Sequence, residues 1–191
     1  MSHHPIDGIM KDLSELAQDR ETVELGALVG TLEARGFGPL LMVLAALMLL
    51  PVGMLPGFPA VIGLLFILCG AQMVRGAKGL WLPERLKRIE APADTLRKSL
   101  DKAWPAVRRL RKLIGGRMHW AVSGGAARVI AGLLIVIGAA MAGLGFLPGL
   151  PFLLALPVLL FGLGLTAGDG LVVILGVLLL VPAIWTGTAA L

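Results

Sequence analysis

Charged and apolar positions are segregated along this chain. Residues 37–73, "FGPLLMVLAALMLLPVGMLPGFPAVIGLLFILCGAQM", contain no charge. A membrane-crossing helix needs about 20 apolar residues, and this run has 37, broken at "PVGMLPGFP". The part before the break, residues 40–50, is 11 residues long, about 16 Å of helix. Two readings are open: two short spans joined by a tight turn, or a re-entrant hairpin that dips into the bilayer and returns. Three more apolar stretches follow residue 120: 129–145, 147–165 and, after "TAGDG", 171–184. The pattern predicts five apolar helices.

The flanking stretches are amphipathic. In residues 6–35, Ile6, Met10, Leu13, Leu16 and Ala17, then Leu25, Leu28, Val29 and Leu32, recur at three- and four-residue spacing, which predicts one or two surface helices. Thr22 is the expected N-cap and Gly36 the expected stop. This arm is too polar to span and is expected beside the membrane or against the basic loop. In residues 75–118, Pro83 fits a helix start. Leu96, Leu100, Trp104, Val107, Leu110 and Ile114 then step along one face. Arg97, Lys98, Lys102, Arg108, Arg109, Arg111 and Lys112 lie mostly on the other, an interfacial pattern restarted at Pro105. Four parts result: an acidic arm (1–36), a first broken hairpin (37–74), a basic interfacial loop (75–118), and a second broken hairpin with a last helix (119–191).

Composition fixes the class. Charged residues are 15% of the chain and the mean hydropathy is +0.89, whereas charged residues make up about a quarter of a soluble domain. The expected fold is an all-α integral membrane protein. Two related broken apolar helical hairpins are joined by a basic amphipathic cytoplasmic loop and followed by a C-terminal membrane helix. The net charge of +5 divides into −4 over residues 1–36 and +9 over 75–118, while Arg128 and Asp169 cancel in the remainder. With Trp, Leu and Ile among its cations, the basic block suits anionic lipid headgroups better than nucleic acid. Trp81, Trp104, Arg108, Arg109, Arg111, Lys112 and Trp120 are the expected lipid-surface contacts. The positive-inside bias puts this loop and the N-terminus in the cytoplasm, with both breaks and the C-terminus outside. No apolar core follows the first residues, so no secretory signal is expected.

The break recurs. "LPGFP" at 55–59 returns as "LPGLP" at 147–151, and the next residues keep Leu64/Leu156, Leu68/Leu160 and Gly70/Gly162. An internal duplication is expected. Pro56, Gly57, Pro59, Pro148, Gly149 and Pro151 are therefore candidate functional residues. Paired helix breaks point to a transport site, and Pro and Gly are equally ordinary turn formers. Charges at the membrane edges, Arg35, Arg128 and Asp169, are candidate gating residues. Arg128 and Asp169 are expected at one face, where they can pair as a staple between segments or as an ion-linked gate. Small residues (Gly132, Gly138, Ala139, Ala142 and Gly143, then Gly162, Gly164 and Gly168) mark close helix contacts, within the chain or in a homodimer; five short segments bury little alone, so a homodimer is expected.

Taken together, "LEARGFGPLLMVLAALMLLP" (32–51), "LPGFPAVIGLLFILCGAQM", "WLPERLKR" (81–88) and "GDGLVVILG" (168–176) resemble the bacterial exopolysaccharide-synthesis protein ExoD family over residues 13–176. The resemblance implies an inner-membrane protein connected with exopolysaccharide production. It implies no reaction. The family's second proline region usually carries more polar residues, and an Arg usually precedes its aspartate. Here those stretches read "LPGLPFLLALP" and Gly168-Asp169, which weakens any polar site at the second break.

Catalytic constellations are missing. His119 and Ser123 have no acid nearby in sequence to complete a triad. Paired carboxylates across a cleft cannot be drawn from Asp169 alone in the apolar half. His3 and His4 carry no metal pattern, and a single cysteine, Cys69, forms no disulfide framework. The expectation is a non-enzyme without metal or cofactor, acting as an accessory to exopolysaccharide synthesis or export. The alternative is a small transporter or proton/cation exchanger built on the paired breaks. A lipid-linked sugar enzyme is a third, less supported reading.

Overall fold

The computed structural model describes residues 8, 11, 12, 14–16, 18, 21–33, 36–49, 57–77, 79–94, 97, 98, 122, 124–144 and 149–189. Its elements are β1 (Thr22–Glu24), α1 (Leu25–Glu33), α2 (Phe37–Met48), α3 (Phe58–Val74), α4 (Glu84–Lys87), β2 (Glu90–Pro92), α5 (Gly125–Leu144), α6 (Leu150–Ala167) and α7 (Gly170–Ala189). The five predicted apolar segments are α2, α3, α5, α6 and α7. Residues 125–143 and 150–167 are long and apolar enough to cross a membrane.

α3 and α6 are copies of one another from end to end. Each starts at a glycine with positive φ, Gly57 (86°) and Gly149 (90°), and carries proline in its first turn, Pro59 and Pro151. Glycine tolerates that φ without a Cβ clash, and proline in a first turn has no helical N–H bond to lose. Each also ends alike. Gly76 (φ 73°) and Gly168 (φ 66°) turn left-handed. Ala77 N–H then donates to Gln72 C=O at 3.0 Å, and Asp169 N–H to Gly164 C=O at 2.9 Å. This six-residue closure satisfies carbonyls left free at a helix end. The structural repeat thus runs past the sequence match, through Gly76/Gly168.

The successive helices of each half do not pack as hairpins. α2 lies on α6, α3 lies on α5, and the contacts within each half are slight. Both principal pairs are antiparallel. A Cβ on Gly162 would collide with Met42 N and lie 2.8 Å from Gly38 O. A Cβ on Gly70 would lie 2.5 Å from Ala131 O and 3.2 Å from Ile135 N. These two crossings are equivalent, with a repeat spacing of 92 residues between α3 and α6 (Gly70 to Gly162) and 93 between α2 and α5 (Gly38 to Ala131). Gly63 and Gly138 meet at a second crossing of α3 and α5. Their counterparts in the other pair, Ala155 and Ala45, are fully buried. The halves are therefore related by a pseudo-two-fold axis along the bundle, each helix gripping its non-equivalent partner. α7 has no counterpart; it packs on α6, with Gly176 against Phe161 and Val173 against Gly164.

The all-α class holds, with one local addition and one correction. β1 and β2 form a short two-stranded antiparallel ladder, Thr22↔Pro92, Val23↔Ala91 and Glu24↔Glu90. Thr22 is accordingly a strand residue and not a helix N-cap; α1 begins at Leu25, whose N–H bonds Ile89 C=O at 2.7 Å. The acidic arm does pack on the start of the basic loop, where Gly26 sits close against Lys87. Charge attraction does not set this register, because Glu24 faces Glu90 and like charges opposite one another are unfavourable. The register follows from Val23, which is buried in the core with Leu80, Leu82 and Ala93. Gly36 (φ 89°) lies before α2, at the boundary expected. Pro83 caps α4 as its position suggested. The predicted interfacial helix over 96–114 lies outside the described residues apart from Arg97 and Lys98, which are helical.

The outward surface of the long helices is apolar. Val129 and Val136 on α5 are 63% and 64% exposed, and Leu178 and Val181 on α7 are 60% and 67% exposed. Large apolar side chains exposed in this number are unfavourable in water and are what lipid or a partner covers.

Candidate functional site

The antiparallel pairing gives the bundle two distinct ends. α2 and α5 finish, and α3 and α6 start, at one end; both breaks therefore lie together at a break end. The chain enters α2 and α5, and leaves α3 and α6, at the opposite linker end.

At the break end, Gly57 C=O accepts from Val61 N–H at 3.2 Å and Gly149 C=O from Leu153 N–H at 3.1 Å, each the first bond of its helix. Both glycines are exposed, with open space where a Cβ would be. Pro59 and Pro151 are buried beneath them. Pro56 and Pro148 lie outside the described residues. The paired motifs thus act locally as helix starts.

At the linker end, Asp169 is 1% exposed, and is the buried charged side chain among the described residues. Its Oδ1 accepts from Leu171 N–H at 3.0 Å, so the carboxylate caps α7. Such a cap contributes about 1 kcal/mol. The neighbouring Thr166 turns its hydroxyl back to Gly162 C=O at 2.6 Å. A Cβ on Gly38 would touch Thr166, so α2 begins directly against the end of α6. Arg128 is exposed in the first turn of α5, and no Arg128–Asp169 ion pair occurs among the described residues. The aspartate caps α7. Arg35 lies outside the described residues, as do Trp104, Arg108, Arg109, Arg111, Lys112 and Trp120.

One contact was missed by reading the sequence. Gln72 Nε2 donates to Trp81 C=O at 2.9 Å, and Trp81 N–H donates to Gln72 Oε1 at 2.7 Å. The side-chain amide thus imitates a strand neighbour and fixes residue 81 beside the end of α3. The Trp81 ring is 69% exposed. A signal was present: Gln72 is the one amide side chain in the 37-residue uncharged run. Nearby, Lys87 Nζ donates to Glu84 Oε1 at 2.6 Å and holds that exposed carboxyl below its ordinary pKa. No group of three or more metal-ligating side chains occurs among the described residues.

These features define a class: a small helical protein of two interlocked, pseudo-symmetric halves, with apolar helices of membrane-crossing length. The chain belongs to the ExoD family, whose model, described as "Exopolysaccharide synthesis, ExoD", matches residues 7–188. Membership connects it with exopolysaccharide synthesis. No curated protein and no solved structure matches it.

Proposed function

We propose that the chain is a multi-pass protein of the bacterial inner membrane that supports exopolysaccharide synthesis or export as a non-catalytic accessory. The linker end and N-terminus face the cytoplasm in this reading. Its partners are anionic lipid, a second copy of the chain and the exopolysaccharide machinery, with no nucleic acid. The observation that carries it is the apolar core shared by the four repeat helices. Buried side chains there include Leu40, Leu44, Ile62, Phe66, Leu134 and Phe161. A permeation path needs polar or charged groups to replace ion hydration. Among the described residues the buried charge is Asp169, and its carboxylate is engaged as a helix cap.

Asp169 is also what favours the second reading, a proton- or cation-linked exchanger, since buried charge at membrane depth usually has a role. One variant separates the two. Asp169→Asn keeps an oxygen to accept from Leu171 N–H but removes the charge. A strain lacking this protein is expected to lose exopolysaccharide output, and both the wild type and Asp169→Asn are expected to restore it. Proteoliposomes are expected to show no proton or potassium flux above empty vesicles. Flux that Asp169→Asn abolishes, together with failed complementation by that variant, would establish the exchanger instead.

A further inference from the structure

The linker end carries cations that the fold does not use. Lys87 is paired with Glu84 and Lys98 with Asp94. Arg75 and Arg128 are exposed and enter no ion pair among the described residues. Arg75 is the C-cap residue of α3. There it complements the partial negative charge of the helix end. Arg128, in the first turn of α5, is at the wrong end for that, because a helix N-terminus is itself partly positive. Helix stability therefore does not account for it. The antiparallel crossing puts the two at one level: Gly70 meets Ala131 and Ile135, which sets residue 128 beside residues 73–77. Trp81, itself exposed, is tied to this same end of α3 by the two backbone hydrogen bonds from the Gln72 side chain, one turn before Arg75.

We propose that Arg75, Arg128 and Trp81 form a docking surface for the headgroup of an anionic phospholipid. Both arginines offer planar donor forks to a phosphate oxygen, and indole prefers the headgroup layer. The charge complements an anionic leaflet, and the position at the ends of apolar helices is the depth at which headgroups lie. The inference rests on the membrane reading given above and adds a lipid class and the residues that select it.

The test uses the full chain, purified in neutral detergent, titrated with short-chain phosphatidylglycerol, phosphatidylcholine or inorganic phosphate. Phosphatidylglycerol is expected to bind more tightly than phosphatidylcholine. Arg75→Gln and Arg128→Gln are each expected to weaken it about fivefold and together about thirtyfold, with phosphatidylcholine unchanged. Gln72→Leu, which frees the Trp81 backbone without removing charge, is expected to shift single-Trp81 fluorescence to the red in phosphatidylglycerol vesicles. Equal binding of the two lipids, unchanged binding by the double variant, or competition by inorganic phosphate as strong as by the lipid would overturn the proposal. Alkaline washing of cell membranes separates the failures. A chain that resists washing but shows no lipid preference sinks the docking surface alone, and a chain that washes off sinks the membrane reading with it.

Discussion

Gly162→Leu is expected to abolish the folded bundle, with loss of the monodisperse species in detergent and of cooperative thermal unfolding. A Cβ at residue 162 overlaps Met42 N and reaches 2.9 Å from Met42 Cα. These are backbone atoms of α2, so no rotamer change relieves the overlap. Overpacking that side chains absorb costs about 1–3 kcal/mol; here the helices themselves must separate, so the cost is expected to exceed that range. Gly70→Leu is expected to do the same to α3 and α5, since its Cβ would lie 2.5 Å from Ala131 O. The matched controls are Gly132→Leu and Gly143→Leu. Nothing lies within 4 Å of a Cβ at either position, so both are expected to keep the fold and a wild-type melting temperature. They have a second use. With Ala139, these glycines leave a small-residue face on α5 turned outward. If the second copy of the chain packs there, both controls stay folded but run as monomers when cross-linked.

That contrast shows which part of the sequence was legible. The sequence marks Gly132, Gly138, Gly143 and Gly162 equally as small residues in apolar helices, and only the structure divides them into crossings and open positions. α3, α6 and α7 are apolar around their whole circumference, so no stripe tells which face meets which neighbour. For the same reason the exchange of partners between halves was hidden. The repeat was legible because its punctuation is chemically strict: a positive-φ glycine before each helix and a proline just after it. Its far end escaped notice because Gly76 opens a cationic stretch and Gly168 an aspartate, and these unlike neighbours obscure identical helix closures. The β1–β2 ladder was hidden for another reason. "TVE" holds two strand-favouring residues but "EAP" holds none, and two three-residue strands are too short to show an alternating pattern against the helical periodicity around them. For Asp169, the position was legible in the sequence, and the bond from Leu171 N–H, which makes it a helix cap, was not.

Gly57→Cys and Gly149→Cys, each in a Cys69→Ala background, are expected to react fully and equally with a membrane-impermeant thiol reagent added to intact cells. The expectation follows from the helix pairs rather than from the breaks. α2 runs antiparallel to α6 and α3 to α5, so both glycines must lie at one end, opposite Arg75 and Arg128. In the orientation proposed above, where the net +9 of residues 75–118 favours a cytoplasmic linker end, both glycines would face outside. Each position has open space for the reagent. Each also pays the same left-handed strain on gaining a Cβ, about 1–2 kcal/mol, so a difference between them cannot come from the substitution. Arg75→Cys in the same background is expected to react only after the membrane is opened. Labelling at one glycine alone would require the halves to be inverted, which the two parallel-related crossings forbid. Protection of both until lysis with Arg75→Cys labelled from outside would reverse the orientation; protection of all three would place the breaks inside the bilayer, where the backbone groups freed at a helix start must be satisfied by protein or water. The exchanger reading would then have the polar lining that the described core lacks.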